Sequence, residues 1–282
     1  MTETFIKDFK VSIIVTCYNY GLFISECLTS LKNQTFIDWE CIVIDDGSTD
    51  NSKNEVSKFM SDKRFSYFSQ ANSGVANSRN LGISKAKGEY LLMLDADDKL
   101  TENSLEIMIS YFERYPDATL ITPTVEFFGS KSGIWELPEY SYNQLLVDNM
   151  IVLTSMFKKS ELDSAEGYDV FMKEGSEDWE LWIRMLNPKS QVIKTMEVLF
   201  HYRIKPESRN TTILNSKAKK FDVYRYITKK HAQIYTDHFE SPLVLFHQVE
   251  AFATEKNHII DHPLEFWANR LRAKIKRKIS GL

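Results

Sequence analysis

Three carboxylates fall within four residues at Asp95–Ala96–Asp97–Asp98, directly after the apolar run 90–94. Acids this close repel one another, and a fold tolerates them best where a cation or a cationic ligand collects. A hard divalent ion with a phosphate-bearing substrate has that chemistry. Residues two apart in extended chain face one side, so Asp95 and Asp97 can address one ion while Asp98 faces elsewhere and caps the next segment. A second acidic pair, Asp45–Asp46, runs into Gly47–Ser48–Thr49–Asp50. Two readings fit it: a turn with a helix cap, or a carboxylate accepting a hydrogen bond from a base or ribose. A third pair, Glu177–Asp178, opens an amphipathic run with Trp179, Trp182, Ile183 and Leu186 on one face. Acids suit a first helical turn behind Ser176 as N-cap. The other role is general base, and helix-start placement is expected to lower that base's pKa.

The candidate cations are fewer. Arg79 lies in the second turn of a helix opened by Asn72–Ser73–Gly74, whose small residues permit close approach. It either pairs with a carboxylate or clamps a diphosphate as a fixed fork of donors. His201–Tyr202–Arg203 ends a strand. His201 is either a packed residue or a metal ligand through its neutral nitrogen, and Arg203 and Lys205 are available to neutralise phosphate.

Short apolar runs alternate with helical patterns and must position these groups. Strands are expected at 11–16, 39–44, 65–69, 89–94 and 120–128, the last turning back through 129–133. Helices are expected at 50–60, 73–87, 105–115 and 176–186, and 191–204 reads as one or two strands. That rhythm implies a mainly parallel sheet covered on both faces. Such sheets bind ligands beyond the carboxyl ends of their strands, where Thr16–Cys17–Tyr18–Asn19, Asp45–Asp46 and the 95–98 cluster all fall.

The chain has 282 residues, 43% of them hydrophobic and 26% charged, with net charge −4. That composition supports a sizeable core and gives no case for a nucleic-acid partner. Three cysteines near the N-terminus, Cys17, Cys27 and Cys41, suit a reducing compartment. Residues 1–10 carry no long apolar stretch, and no run reaches the roughly 18 to 20 apolar residues of a membrane span. The expectation is a cytoplasmic protein, peripheral to the inner face of the membrane if its tail binds there. From 216 the pattern is helical to the end. Phe266, Trp267, Leu271, Ile275 and Ile279 alternate with basic residues and no acid follows Glu265. Such a helix either lies on an anionic membrane surface or docks its stripe on the domain or on a second copy in a homodimer.

Taken together, five stretches resemble the family-2 glycosyltransferases of the GT-A fold. They are Val11–Ser12–Ile13–Ile14–Val15–Thr16–Cys17–Tyr18–Asn19, Val43–Ile44–Asp45–Asp46–Gly47–Ser48–Thr49–Asp50, 74–82, 88–98 and Glu177–Asp178–Trp179–Glu180–Leu181–Trp182, in the family's order over roughly residues 10–210. The resemblance implies an α/β, Rossmann-like three-layer sandwich with a mainly parallel central sheet and a C-terminal helical extension. The glycosyltransferase domain would span 1–215, with a nucleotide-sugar half at 1–100 and an acceptor half at 101–215, followed by the helical region 216–282. It also implies an inverting transfer from a nucleotide-diphospho-sugar, usually UDP-linked, to a saccharide or lipid-linked acceptor. Thr16, Tyr18 and Asp46 would hold uracil and ribose, with Asn19, Asp45 and Ala96 beside them. Arg79 would lie near the base or diphosphate, and Asp95 near the ribose or metal. Asp97 would ligate Mg²⁺ or Mn²⁺, with His201 a further candidate ligand. Asp178 would be the base and Glu177 its neighbour. Two departures stand out: Thr16 replaces the Pro of many relatives, and Lys205 stands where many carry His. The other readings are a nucleotide-sugar-binding protein without activity and a nucleotidyltransferase, which would release pyrophosphate.

Overall fold

A computed structural model describes residues 9–205, 216–239, 241 and 251. Residues 1–227 and 228–282 form two compact units. The first begins with four parallel strands, β1 (Val11–Cys17), β2 (Trp39–Asp45), β3 (Phe65–Ser69) and β4 (Tyr90–Asp95), in the spatial order β3-β2-β1-β4. Every residue of β1 and β2 is buried, as continuous apolar runs require when a sheet is covered on both faces. On one face Val11, Ile13 and Val15 pack with Ile24, Cys27, Leu28 and Leu31 of α1 (Ile24–Lys32) and with Leu105, Met108 and Phe112 of α4 (Ser104–Arg114). On the other, α3 (Val75–Lys85) approaches through Gly82. A Cβ there would stand 2.4 Å from Ile14 Cγ2, so no larger residue fits without displacing the helix. A short helix, α2 (Ser52–Ser57), connects β2 to β3.

Beyond β4 the sheet becomes mixed. β8 (Met156–Lys158) pairs antiparallel with both β4 and β6 (Ala118–Gly129), and β6 pairs parallel with β9 (Gln191–Ile204). The two-residue strand β5 (Lys99–Leu100) lies antiparallel on β9, and β7 (Gly133–Ile134) closes the expected return from β6. Helices α5 (Tyr142–Leu145), α6 (Lys159–Ser164) and α7 (Glu177–Met185) complete this half. Trp182 of α7 is fully buried against Phe157 of β8. α8 (Lys217–Lys230) follows, and the second unit contains α9 (Ala232–His238). The basic pattern after Glu265 lies outside the described residues. No helix among the described residues is long and apolar enough to cross a membrane.

Candidate active site

Parallel register brings the acidic clusters to one edge: Thr16 lies beside Asp95, and Cys17 beside Asp45. β4 ends at Asp95, where the chain turns and the Asp98 N–H bonds Asp95 O at 3.0 Å. The two-residue alternation expected through 95–98 therefore stops at Asp95. Ala96 is fully buried in the core, and its N–H donates to Thr16 O at 3.2 Å.

The first two loops are bound to each other. Asn19, with φ of 57°, accepts the Thr49 N–H at 2.8 Å through Oδ1, while its own N–H donates to Ser48 Oγ at 2.9 Å. Tyr18 beside it is exposed. The Asp45 carboxylate accepts the Ser48 N–H at 2.7 Å and the Tyr67 hydroxyl at 2.6 Å. Burial, reinforced by Asp45, pushes the Tyr67 pKa up to about 12. Asp46 is buried and accepts the Gln70 side-chain amide at 2.7 Å and the Ser73 and Gly74 N–H groups at 2.9 Å each. Asp46 thus braces the turn that leads into α3, far along the chain, rather than the helix it precedes. Both of its oxygens hold that turn in place.

Arg79 reaches no open crevice. It is buried, and its terminal nitrogens donate to Glu177 Oε1 at 2.8 Å and Asp95 Oδ1 at 3.0 Å. Of the two roles read for it, the structure gives carboxylate pairing, and the pair joins the end of β4 to the start of α7. Thr16 donates to the same Asp95 oxygen at 3.1 Å. The Asp97 carboxylate meets the Lys205 ammonium at 2.6 Å, and Lys205 also donates to the Tyr20 hydroxyl at 3.2 Å. Burial, with Asp95 adding to it, raises the Asp97 pKa, and Lys205 opposes the rise. Asp98 is buried, accepts the Arg203 N–H at 2.7 Å, and is raised further by burial and its acidic neighbours.

His201 departs from its expected place. The parallel β6–β9 register sets it opposite Glu126, and its Nδ1 lies 3.4 Å from that carboxylate. It stands on a ladder between Glu126 and Lys99 rather than with Asp97. Among the described residues no group of three or more His, Cys, Asp or Glu side chains is arranged to hold a metal ion.

Asp178 is half-buried at the start of α7. Its Oδ1 accepts the Trp179 N–H at 2.8 Å and its Oδ2 the Asn149 amide at 3.0 Å. Burial and then Glu177 push its pKa up to about 6, against the opposing pull of Arg79. The lowering expected from the helix terminus is overturned, because desolvation and a like charge outweigh a half-charge dipole. Ser176 does precede the helix, but it adopts a left-handed φ of 61° and its side chain makes no cap bond. Asn149, Gln70 and Tyr67 carry no signature in the sequence, since each acts through a contact between distant segments.

The family model for Glycosyl transferase family 2 matches residues 12–176, more than half of the chain. The chain belongs to that family. Among its curated relatives, an uncharacterised glycosyltransferase of Rickettsia bellii is 39% identical over 113 residues, 40% of this chain and 16% of that protein. The chondroitin synthase of Pasteurella multocida is 28% identical over 178 residues, 58% of this chain and 18% of the synthase. The chain therefore spans under a fifth of the length of these relatives. Among solved structures, S. aureus TarS 1–349 in complex with UDP-GlcNAc superposes with a TM-score of 0.69 at 19% identity, covering 80% of this chain and 67% of that one. The Pyrobaculum calidifontis mannosyltransferase PcManGT, in complex with GDP-Man and Mn²⁺, gives 0.57 at 14% identity, covering 94% of this chain and 84% of that one. The fold of this chain is accordingly of the GT-A type.

Proposed function

We propose that this glycosyltransferase moves a sugar, with inversion, from a nucleotide-diphospho-sugar to a hydroxyl of a saccharide or lipid-linked acceptor. The observation that carries the reading is Asp178: a half-buried carboxylate with a pKa near 6, linked through Glu177 and Arg79 to Asp95 at the strand end. A base with that pKa is charged at neutral pH yet basic enough to take a proton late in the transition state. The acceptor oxygen attacks C1 of the donor sugar and gives its proton to Asp178. The C1–O bond breaks on the opposite face, and its electron pair leaves with the diphosphate. Exposed Tyr18 is free to stack on the nucleobase, with Asp45 and Thr16 at the ribose side. UDP is the favoured nucleotide because TarS is found with UDP-GlcNAc, and surface polysaccharide synthesis is the favoured setting because a chondroitin synthase is among the relatives.

Asp95 and Asp97 fit Mg²⁺ or Mn²⁺. They are hard oxygen donors whose mutual crowding a cation relieves. Asp95 and Asp97 would hold the ion, leaving room for it to meet the phosphate-bearing substrate. When bound, the ion supplies positive charge where the departing diphosphate gains electrons. Lys205, paired with Asp97, adds positive charge on the same side.

Asp178→Asn tests the reading. Transfer should fall by about 10²–10⁴-fold while UDP affinity, measured by calorimetry with Mn²⁺, stays unchanged. Retained transfer would remove Asp178 as the base. Release of pyrophosphate in place of UDP would favour a nucleotidyltransferase, and UDP-sugar binding with no transfer to any acceptor would favour a binding protein.

A further inference from the structure

We propose that Asn149 is a positioning residue that holds the Asp178 carboxylate in the plane from which it takes the acceptor proton; the inference rests on Asp178 being the base and extends that reading. Asn149 lies in the irregular segment after α5, away from every stretch that carries the family resemblance. Its Nδ2 donates to Asp178 Oδ2 at 3.0 Å, and its Oδ1 accepts the Ile151 N–H at 3.3 Å. The Ile151 N–H requires an oxygen there, so the amide has one orientation and presents a donor to Asp178. The other carboxylate oxygen accepts the Trp179 N–H at 2.8 Å. One donor on each oxygen fixes the carboxylate plane, and each oxygen keeps a lone pair for a proton.

The support is itself anchored. Trp179 Nε1 donates to Leu145 O at 2.6 Å, which ties the end of α5 to the first turn of α7. Asn149 and Asp178 are therefore carried by two segments joined at a second point. The charged and titratable groups around Asp178 are Glu177 on its own helix, Arg79 from α3 and Tyr168 from the preceding loop. Glu177 favours the protonated carboxyl and Arg79 the charged one. Asn149 acts with Arg79, because a hydrogen bond given to the carboxylate favours its charged form. Its loss therefore has two separable effects. The base is left free to rotate out of line, which lowers kcat, and its pKa rises.

The test compares Asn149→Ala and Asn149→Asp with wild type and with Asp178→Asn. Asn149→Asp keeps the shape and the acceptor for Ile151 but turns the donor into an oxygen, so it remains informative if the alanine variant folds poorly. Melting temperature checks folding, and UDP affinity checks the donor side. Both variants should lower kcat by about 10–100-fold with UDP affinity within about twofold, and move the acidic limb of the pH–rate profile upward by about one unit. In the Asp178→Asn background, Asn149→Ala should add nothing, since the two residues act as one unit. Normal kcat with an unmoved acidic limb in the folded variants, beside an inactive Asp178→Asn, would overturn the role of Asn149 alone. Full activity of Asp178→Asn would overturn the base assignment first and this inference with it.

Discussion

At the scale of single residues, Asp178 shows how a site can act against its helix. A first-turn carboxylate should be more acidic than usual, yet burial and Glu177 carry it to about 6. Two consequences have opposite signs. Activity needs the charged base, so kcat/KM should hold above pH 6 and fall tenfold per unit below it, as a pH–rate profile would record. Stability runs the other way. A folded pKa raised above the ordinary carboxylate value means that the folded state binds the proton more tightly, so the ionised carboxylate costs stability as pH rises through 6. Asp178→Asn should therefore melt higher than wild type at pH 8 and equally at pH 4, where both carry an uncharged group. A lower melting point at pH 8 would show that the charge is stabilising. Lys205 raises a separate question at Asp97, where its ammonium stands 2.6 Å from the carboxylate a metal would use. Lys205→Met should tighten Mn²⁺ binding in the presence of UDP by about three- to tenfold, read by electron paramagnetic resonance; unchanged affinity would mean that the two cations do not compete.

At the scale of elements, Gly167 and Gly175, both with positive φ, bracket the segment 168–174. Gly167 has φ of +77°, and a Cβ there would stand 2.7 Å from Asn80 Oδ1. Asn80 holds the Tyr168 backbone twice, accepting its N–H and donating to its carbonyl at 2.8 Å each, and Arg184 donates to Gly167 O at 2.7 Å. The segment is pinned at its start, and just beyond it the Tyr226 hydroxyl donates to Asp169 Oδ2 at 2.7 Å. Amide exchange at 169–175 should slow when UDP and Mn²⁺ bind, and Asn80→Ala should speed exchange at Tyr168; a pattern unchanged by ligand would show that the segment does not respond to the donor. Elements of this kind divide by how far they were legible in the sequence. β1, β2 and β4 announce themselves because a parallel strand buried on both faces is a continuous apolar run. β5 and β8, at two and three residues, are too short to show a period. The turn after Asp95 defeated the alternation argument for the same local reason: acids at a strand end read alike whether the chain continues extended or turns. Asp46 bracing the turn before α3 and His201 facing Glu126 depend on which strands become neighbours, and no local pattern encodes that.

At the scale of the molecule, Arg79 is what joins the two halves of the site. Its partners are 98 residues apart in the case of Glu177 and 16 in the case of Asp95, so one buried guanidinium ties the strand end proposed for the donor to the helix start proposed for the base. The resemblance named Arg79 as a donor contact, because spacing places it near the crevice but cannot say which way it turns. Paired as it is, it carries a share of the fold. Removing it takes away the guanidinium that faces buried Glu177 beside Asp178, and breaking a buried pair by deleting one partner costs about 3–5 kcal/mol. Arg79→Met should lower the melting temperature by several degrees at pH 8. Ligand-induced stabilisation then reports on the donor side independently. UDP with Mn²⁺ at a hundred times its dissociation constant adds about 2.7 kcal/mol to wild type, which a thermal-shift assay reads as a rise of several degrees. If Arg79 positions Asp95, the variant should show a smaller rise at the same UDP concentration, because its affinity is reduced. If Arg79 serves only the base, the variant should start lower yet rise by the full amount. The first result makes the guanidinium a link between donor and base, and the second confines it to holding α7.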